Sequence, residues 1–557
     1  VTTPARLTPE LRDSAFRWIA DDADPEARTE LQAVLARAMG GEEAAVAELT
    51  DRMAGPLEFG TAGLRGPVRA GPNGMNLAVV IRTTAGVAAW LDRHGHTGAT
   101  VVVGRDARHG SEAFAAAAAD VLTAAGFDVR VLPRPLPTPV LAFAARHFGA
   151  AAAIQITASH NPPADNGYKL YDDTAVQIVP PADGEIEAAI EAVPAAVSVP
   201  RAPGATPLGE DVVRAYLSRV AALPAGQHRD LRVAATALHG VGADVLRAAL
   251  HEAGFTDVHL VAEQAAPDPD FPTVSFPNPE EPGVTDLLLA LAVEVAADIA
   301  IALDPDADRC ALGVADAHGA WRMLRGDESG VLLGEHILST LDKTVVPDPL
   351  VATTIVSSSM LAGIARAHGA RFAQTLTGFK WLARAGTGLV FAYEEALGLC
   401  VNPGFVRDKD GIAAAVLACD LAATLKAQGQ SLLDALDTLA ARHGVHLTDQ
   451  ISLRVTDLDR IGRLMAELRA APPTELAGQP VTSEDLLPEA DVLRLNGTGA
   501  RVVIRPSGTE PKLKAYLEVT EPATAETGLA PARKRANERL TTLRAEVHTL
   551  FGMHARR

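Results

Sequence analysis

Short apolar runs alternate along the chain with polar loops and amphipathic stretches. ATVVV (99–103) leads through GRDARHGSE into an alanine-rich segment, and DVRVL (128–132) leads through PLPTP into another. AAAIQI (151–156) then ends at TASHNPPADNGYK (157–169). Runs of five or six apolar residues without polar alternation predict strands buried on both faces, and the amphipathic stretches between them predict covering helices. The rhythm breaks at the proline-rich VPAAVSVPRAPGATP (193–207). It resumes with LRVAATAL, the loop HGVG, a helix near 243–254, DVHLV, a helix near 286–297 and DIAIAL running into DPDADR (304–309). A third round runs through LVATTIV, SSMLAGIARAHGA and LVFAY. Beyond about residue 445 the order changes to strand, helix, three strands around the NGTG turn at 496–499, and a long charged helix from about 528. The fold class expected is α/β: three related domains with parallel or mixed sheets, and a C-terminal α+β domain. The boundaries expected are 1–205, 206–322, 323–445 and 446–557.

Composition narrows the function classes. A chain of 557 residues is long enough for three to four domains of about 150 residues each. Only 4% of residues are aromatic, so alanine, leucine and valine must fill the cores. Fifty basic against 69 acidic side chains leave a net charge of −19, which argues against a nucleic-acid or anionic-membrane partner. Any phosphate site must then be made positive by a few placed cations. The three cysteines, Cys310, Cys400 and Cys419, have no metal-ligand spacing and cannot build a disulfide framework, which suits a reducing cytoplasm. VTTPARLTPELRD has no apolar signal core, and the most apolar long stretch (287–303) is interrupted by Glu294 and Asp298, so no membrane span is expected.

Three stretches carry candidate chemistry. In TASHNP, Ser159 emerges at a strand end beside His160, where α/β proteins place ligands; taken alone, the stretch reads first as a helix cap and turn, which are far commoner than catalysis. In DPDADR, Asp304, Asp306 and Asp308 alternate just after an apolar strand. Three such carboxylates repel unless a cation sits among them, and hard oxygen donors suit magnesium or calcium. An EF-hand is excluded, since its sixth and twelfth loop positions should be glycine and glutamate and are Arg309 and Ala315. In RPSGTEPK (505–512), Arg505 offers a bidentate guanidinium and Ser507 and Thr509 offer hydroxyls. Gly508 lets backbone amides approach an anion, although SGT is also an ordinary turn. No Walker pattern and no complete GxGxxG occurs; Gly240 and Gly242 of HGVG lack the third glycine.

Together with LEFGTAGLRG (57–66) and EEALG (394–398), these stretches resemble the α-D-phosphohexomutase superfamily of phosphoglucomutases and phosphomannomutases, over nearly the whole chain and in the family's order. TLTGFKW (375–381), EEALG and DKDG (408–411) look most like the branch with mammalian phosphopentomutase and glucose-bisphosphate synthase, which also holds many bacterial phosphosugar mutases. The resemblance implies four domains around one cleft and interconversion of hexose 1-phosphate and hexose 6-phosphate, glucose first. A phosphoserine at Ser159 would be the carrier, with a sugar bisphosphate as intermediate and activator. It implies Mg²⁺ held by that phosphoserine with Asp304, Asp306 and Asp308, and catalytic neighbours Arg65, His160 and Lys169, with Lys169 preferred for proton transfer. Arg309, Thr377, Gly378, Lys380, Glu394, Glu395, Arg505, Ser507, Gly508 and Thr509 are the substrate-binding residues implied. The partners implied are small sugar phosphates only, with the chain a monomer or a dimer. A phosphomannomutase or phosphopentomutase of the same mechanism and a metal-dependent sugar phosphatase are the alternatives. The sugar loop departs from the pattern of many phosphoglucomutases, because Ala396 stands where a serine would be.

Overall fold

A computed structural model describes residues 6–60, 63–455, 459–507, 512–523 and 528–552. The chain divides into two compact units, one made of residues up to 323 with 398–420, the other of 324–397 with everything from 421 onward.

The first unit opens with three helices, Pro9–Asp21, Pro25–Met39 and Glu43–Arg52. Thr8 and Asp24 cap the first two, each followed by proline at a position where no N–H is needed. Ala15, Leu31, Leu35 and Leu49 form a separate small core. The sequence reading did not resolve these helices from the α/β domain that follows. Arg52 ties them to it, pairing with Glu30 and Glu48 and donating to the Ala70 carbonyl, while Glu30 accepts from the Ala70 amide.

The first sheet runs in the order Leu64–Pro67, Asp165–Tyr171, Ala152–Ile156, Thr100–Arg105, Asp128–Val131 and Thr206–Pro207. Its centre is parallel, and the two strands at the Leu64 end are antiparallel. The AAIQI strand is buried throughout; its one polar residue, Gln155, donates to the Leu136 carbonyl. The proline-rich stretch expected as the first boundary instead stays with this sheet. Ala196 is buried in a short 3₁₀ turn, and Thr206–Pro207 pairs in parallel with the Asp128–Val131 strand, although the second domain was expected to open at 206. Proline is tolerated at a sheet edge because no ladder donor is needed on the outer side.

The second sheet runs Trp321–Met323, Cys310–Ala315, Ile299–Leu303, Arg232–Thr236 and Asp257–Leu260. Ile299–Leu303 is parallel to Arg232–Thr236 but antiparallel to Cys310–Ala315, with Leu303 opposite Cys310. DPDADR is therefore the tight connection between two antiparallel strands. Residues 398–420 pack in this unit, where three aspartates anchor them: Tyr171 donates to Asp408, Tyr216 to Asp410, and the amides of Ala225 and Gly226 to Asp420.

In the second unit, the strand Leu350–Thr354 lies between Arg371–Thr375 and Leu389–Glu394, all parallel. The C-terminal sheet is antiparallel, in the order Val445–Arg454, Lys512–Glu521, Ala500–Pro506, Leu493–Gly497, Gln479–Asp485 and Glu475–Leu476. The helix Leu529–Leu550 packs Ala536, Leu543 and Val547 on its core. Gln479–Asp485 extends this sheet beyond the strands read from the sequence; nearly every side chain in it is exposed, so no alternating apolar pattern marked it. Among the described residues, no single helix is long and apolar enough to cross a membrane.

Candidate active site

The strand Ala152–Ile156 delivers Ser159 into the first unit with a left-handed backbone, φ 55°. For a residue bearing a Cβ this conformation is costly, by about 1 kcal/mol or more. It turns the hydroxyl out of the strand direction. The Ser159 amide donates to Thr157 Oγ1 at 2.9 Å, Ser159 Oγ donates to Asp304 Oδ2 at 3.0 Å, and His160 Nδ1 lies 3.1 Å from the same Oγ. The chain then returns antiparallel, so Lys169 stands opposite Gln155 and reaches Asp306 Oδ2 at 2.6 Å and Asp308 Oδ2 at 2.9 Å.

The aspartate loop is built by backbone packing from two other segments. Val241 of HGVG donates its amide to the Pro305 carbonyl, and a Cβ on Gly240 would sit 2.3 Å from Pro305 backbone atoms. A Cβ on Gly411 of DKDG would lie 2.4 Å from the Arg309 carbonyl. Gly240 of HGVG thus serves close approach of two backbones. Asp304, Asp306 and Asp308 are fully buried, with one oxygen from each within 4.8 Å of the others; among the described residues this is the one such acidic or metal-ligating cluster. Thr138, from the PLPTP loop, donates its hydroxyl to Asp306 Oδ2 at 2.6 Å, and Lys409 Nζ lies 3.0 Å from Asp308 Oδ2. Asp306 Oδ1 and Asp308 Oδ1 remain buried with no hydrogen-bond partner. Orphaned buried carboxylate oxygens are expensive. Two of them beside a serine hydroxyl, in an all-oxygen donor set, fit a small hard divalent cation.

The electrostatics follow from burial and neighbours. Burial pushes Asp304 well above the usual carboxylate range, and repulsion from Asp306 and Asp308 adds to it. Burial also works against the charge on Asp308, but Lys169, Lys409 and Arg309 outweigh it and hold this carboxyl low. Asp306 is likewise held low against burial and Asp308, chiefly by Lys169. Burial opposes the charge on Lys169, yet Asp306 and Asp308 keep its ammonium above the ordinary value. Burial, with Arg309 and Arg65, pushes His160 well below the ordinary imidazole value.

Among the residues singled out from the sequence, Arg65, Ser159, His160, Lys169, Asp304, Asp306, Asp308 and Arg309 all lie in the first unit. Arg65 Nη1 is 3.4 Å from Asn161 Oδ1, its Nε is buried without a partner, and Arg309 donates its amide to Asp304 Oδ1 and pairs with Glu280. The others lie in the second unit. Thr377 precedes Gly378, whose φ of 107° starts the short helix Phe379–Leu382, and Lys380 Nζ lies 6.0 Å from the Trp381 ring centre. Glu394 ends the strand Leu389–Glu394. The Glu395 carboxylate accepts from Ser357 Oγ at 2.7 Å and Thr354 Oγ1 at 3.1 Å, which makes it a brace of its own loop. Arg505 closes the strand Ala500–Pro506, and the Ser507 amide donates to the Lys512 carbonyl; Gly508 and Thr509 lie outside the described residues. Thr138 and Lys409 were missed as site residues. PLPTP and DKDG were both noticed, but nothing local in either marks a partner for a distant aspartate.

Comparison with known families matches residues 56–196, 214–319 and 325–442 to alpha/beta/alpha domains I, II and III of phosphoglucomutase/phosphomannomutase, and 451–533 to its C-terminal domain. A Haemophilus influenzae protein described as a probable phosphomannomutase is 43% identical over 80% of this chain and 93% of its own length. Mouse phosphopentomutase is 32% identical over 92% of this chain and 90% of its own. A Staphylococcus aureus phosphoglucomutase is 31% identical over 85% and 92%. A Burkholderia thailandensis phosphoglucomutase/phosphomannomutase family structure superposes with a TM-score of 0.68 at 20% identity, over 88% of this chain and 97% of that one. With all four domains matched in order and a serine set against three buried aspartates, the chain belongs to the phosphoglucomutase/phosphomannomutase superfamily of phosphosugar mutases.

Proposed function

We propose that this mutase interconverts hexose 1-phosphate and hexose 6-phosphate, glucose first, with Ser159 as phosphoryl carrier. The observation that carries the reading is the left-handed Ser159, its Oγ 3.0 Å from Asp304, beside the orphaned oxygens of Asp306 and Asp308. In the first half-reaction the bond from phosphorus to Ser159 Oγ breaks and a bond to the sugar hydroxyl forms, giving a bisphosphate. The sugar hydroxyl loses its proton and Ser159 Oγ regains one. After the sugar turns over, the other phosphoryl group returns to Ser159 by the reverse chemistry. Such transfers depend on positioning and charge stabilisation more than on covalent activation.

Asp304, Asp306 and Asp308 would hold Mg²⁺, which when bound lowers the charge on the transferring phosphoryl oxygens. His160, its Nδ1 3.1 Å from Ser159 Oγ, is a second candidate to accept or return the hydroxyl proton. Lys169, the group preferred for proton transfer from the sequence, also lies within ion-pair distance of Asp306 and Asp308, where its charge suits charge balance. Arg65, with an unpartnered buried Nε, and Arg309 are the cations offered to the substrate phosphoryl group. Arg505, Ser507, Gly508 and Thr509 would take the non-reacting phosphate, while Thr377, Gly378, Lys380 and Glu394 would face the sugar. Glu395, whose Oε2 braces the loop, would join them through its other oxygen. The branch rests on relatives that point two ways, since mannose and pentose phosphate mutases are both represented among them.

The test is a panel of glucose, mannose, glucosamine and ribose 1-phosphates, each with its bisphosphate activator, together with intact-protein mass. Wild type should carry one added phosphate, and Ser159→Ala should carry none and lose turnover while keeping its fold. Release of inorganic phosphate in place of isomer would identify a phosphatase and overturn the reading.

A further inference from the structure

Arg108 lies in the polar loop after the strand Thr100–Arg105 and has the look of a surface charge in the sequence. In the structure it is buried, and its guanidinium gathers four backbone carbonyls of the serine loop. Nη2 donates to Ser159 O at 2.7 Å and Asn161 O at 2.6 Å; Nη1 donates to Pro162 O at 2.9 Å and Asp165 O at 3.1 Å. Nε faces Asp106 Oδ2 at 3.3 Å, and Asp106 Oδ1 accepts from the Arg108 amide and from Ser111 Oγ. Phe271 covers the guanidinium plane at 4.9 Å.

This disposition spends the Nη donors on the protein. The four hydrogen-bonding edges of Nη1 and Nη2 are taken by carbonyls, Nε is turned to Asp106, and one face is closed by Phe271. One planar fork reaches carbonyls spread from residue 159 to 165, which a lysine ammonium, a point donor, cannot do. The first of those carbonyls belongs to Ser159 itself, the residue held at φ 55°. A left-handed serine persists only where its surroundings over-determine it.

We propose that Arg108 is the positioning residue of the phosphoryl carrier: it clamps the loop 159–165 so that Ser159 Oγ is aimed at the aspartate cluster. The proposal rests on Ser159 being the carrier. Replacing Arg108 would let the loop relax and swing Oγ away, slowing transfer to and from Ser159 without touching the sugar.

The experiment follows the mass of the protein during incubation with glucose 1,6-bisphosphate and, in parallel, steady-state turnover of glucose 1-phosphate. Wild type first stripped of phosphate should regain one on Ser159; if it regains none there, the carrier reading fails, and this proposal with it. With a phosphorylating wild type, Arg108→Lys should slow Ser159 phosphorylation and kcat together by about 10²-fold, with KM within about 3-fold. Equal phosphorylation rates in Arg108→Lys and wild type would overturn the clamp. So would a raised KM at unchanged kcat, which would make Arg108 a substrate ligand. Phe271→Leu removes only the aromatic cover and decides the matter if the lysine variant does not fold. A fall in kcat of about 3- to 10-fold at constant KM supports the clamp. Unchanged kcat overturns it.

Discussion

Each unit contains a deeply buried carboxylate centre, and the two are finished differently. In the second unit Glu518 accepts from Ser358 Oγ at 2.9 Å, from the Ser359 amide at 2.7 Å, from Ser359 Oγ at 3.1 Å and from His446 Nδ1 at 3.0 Å. Arg501 Nη2 pairs with its other oxygen at 2.7 Å and donates to the Ser357 carbonyl. That centre joins the C-terminal sheet to the loop after the Leu350–Thr354 strand, and it is complete. In the first unit three aspartates meet Lys169, Lys409 and Thr138, and two oxygens are still left over. Burial and charge density alone do not separate a binding centre from a structural one. Two unfilled acceptors gathered in one three-carboxylate cluster do, because their desolvation cost is offset together by a single cation.

The sharpest break in this comparison comes from removing one carboxylate on each side. Asp306→Ala should lower mutase turnover by about 10³-fold or more and abolish the rise in melting temperature that Mg²⁺ gives wild type, as read by a thermal shift with and without EDTA. Glu518→Ala should leave that Mg²⁺ response in place, since the group has no vacancy. Its effect is on stability: removing one partner of a buried ion pair costs about 3 to 5 kcal/mol, measured by urea unfolding of the full chain followed at a probe in the C-terminal domain. A Glu518→Ala protein that lost Mg²⁺ stabilisation, or an Asp306→Ala protein that kept it, would erase the distinction.

Acid sharpens the same contrast. Burial by itself would raise Glu518, but His446 and Arg501 outweigh it and hold the carboxyl at about 2, against an ordinary value of 4.5. The folded value lies below the unfolded one, so this stabilisation is complete above about pH 4.5 and drains away as pH falls toward 2. Wild type should lose roughly 3 kcal/mol more than Glu518→Gln between pH 5.5 and 2.5.

The smallest expected effect concerns the sugar loop. Glu395 is held through one oxygen by Ser357 and Thr354, and Ala396 offers no hydroxyl, so Glu394 and the other Glu395 oxygen are left to read the sugar. Wild type should then discriminate among the 1-phosphates by less than about 10⁴-fold in kcat/KM, and Ala396→Ser should increase the preference for glucose by about 10-fold. No change on adding the serine would mean the hydroxyl is supplied from elsewhere.

Much of the first centre was legible because its signals are local. An unbroken apolar run followed by alternating aspartates states both the strand and the charge problem at its end, and the run before Ser159 does the same for the serine. The parts that were not legible depend on chain return. Lys409 lies 101 positions beyond Asp308, and Thr138 reaches Asp306 from 168 positions away. Arg108 reads as a surface charge because nothing in GRDARHGSE reports that four carbonyls will converge on it. Fold class came through for the same reason that the Gln479–Asp485 strand did not: hydrophobic period marks a buried face, and a strand with almost no buried face has no period to read.

The anchoring of Asp408, Asp410 and Asp420 by tyrosines and backbone amides of the first unit also bears on how the protein is made. A chain leaving the ribosome has both sheets of that unit in hand once residue 323 is out. At that moment Asp308 still lacks Lys409, and Tyr171 and Tyr216 still lack their acceptors. Closure must wait for about a hundred further residues, most of which belong to the other unit. The two units are therefore finished in an interleaved order, and a fragment ending at 323 would be born with an acidic centre missing one of its cations.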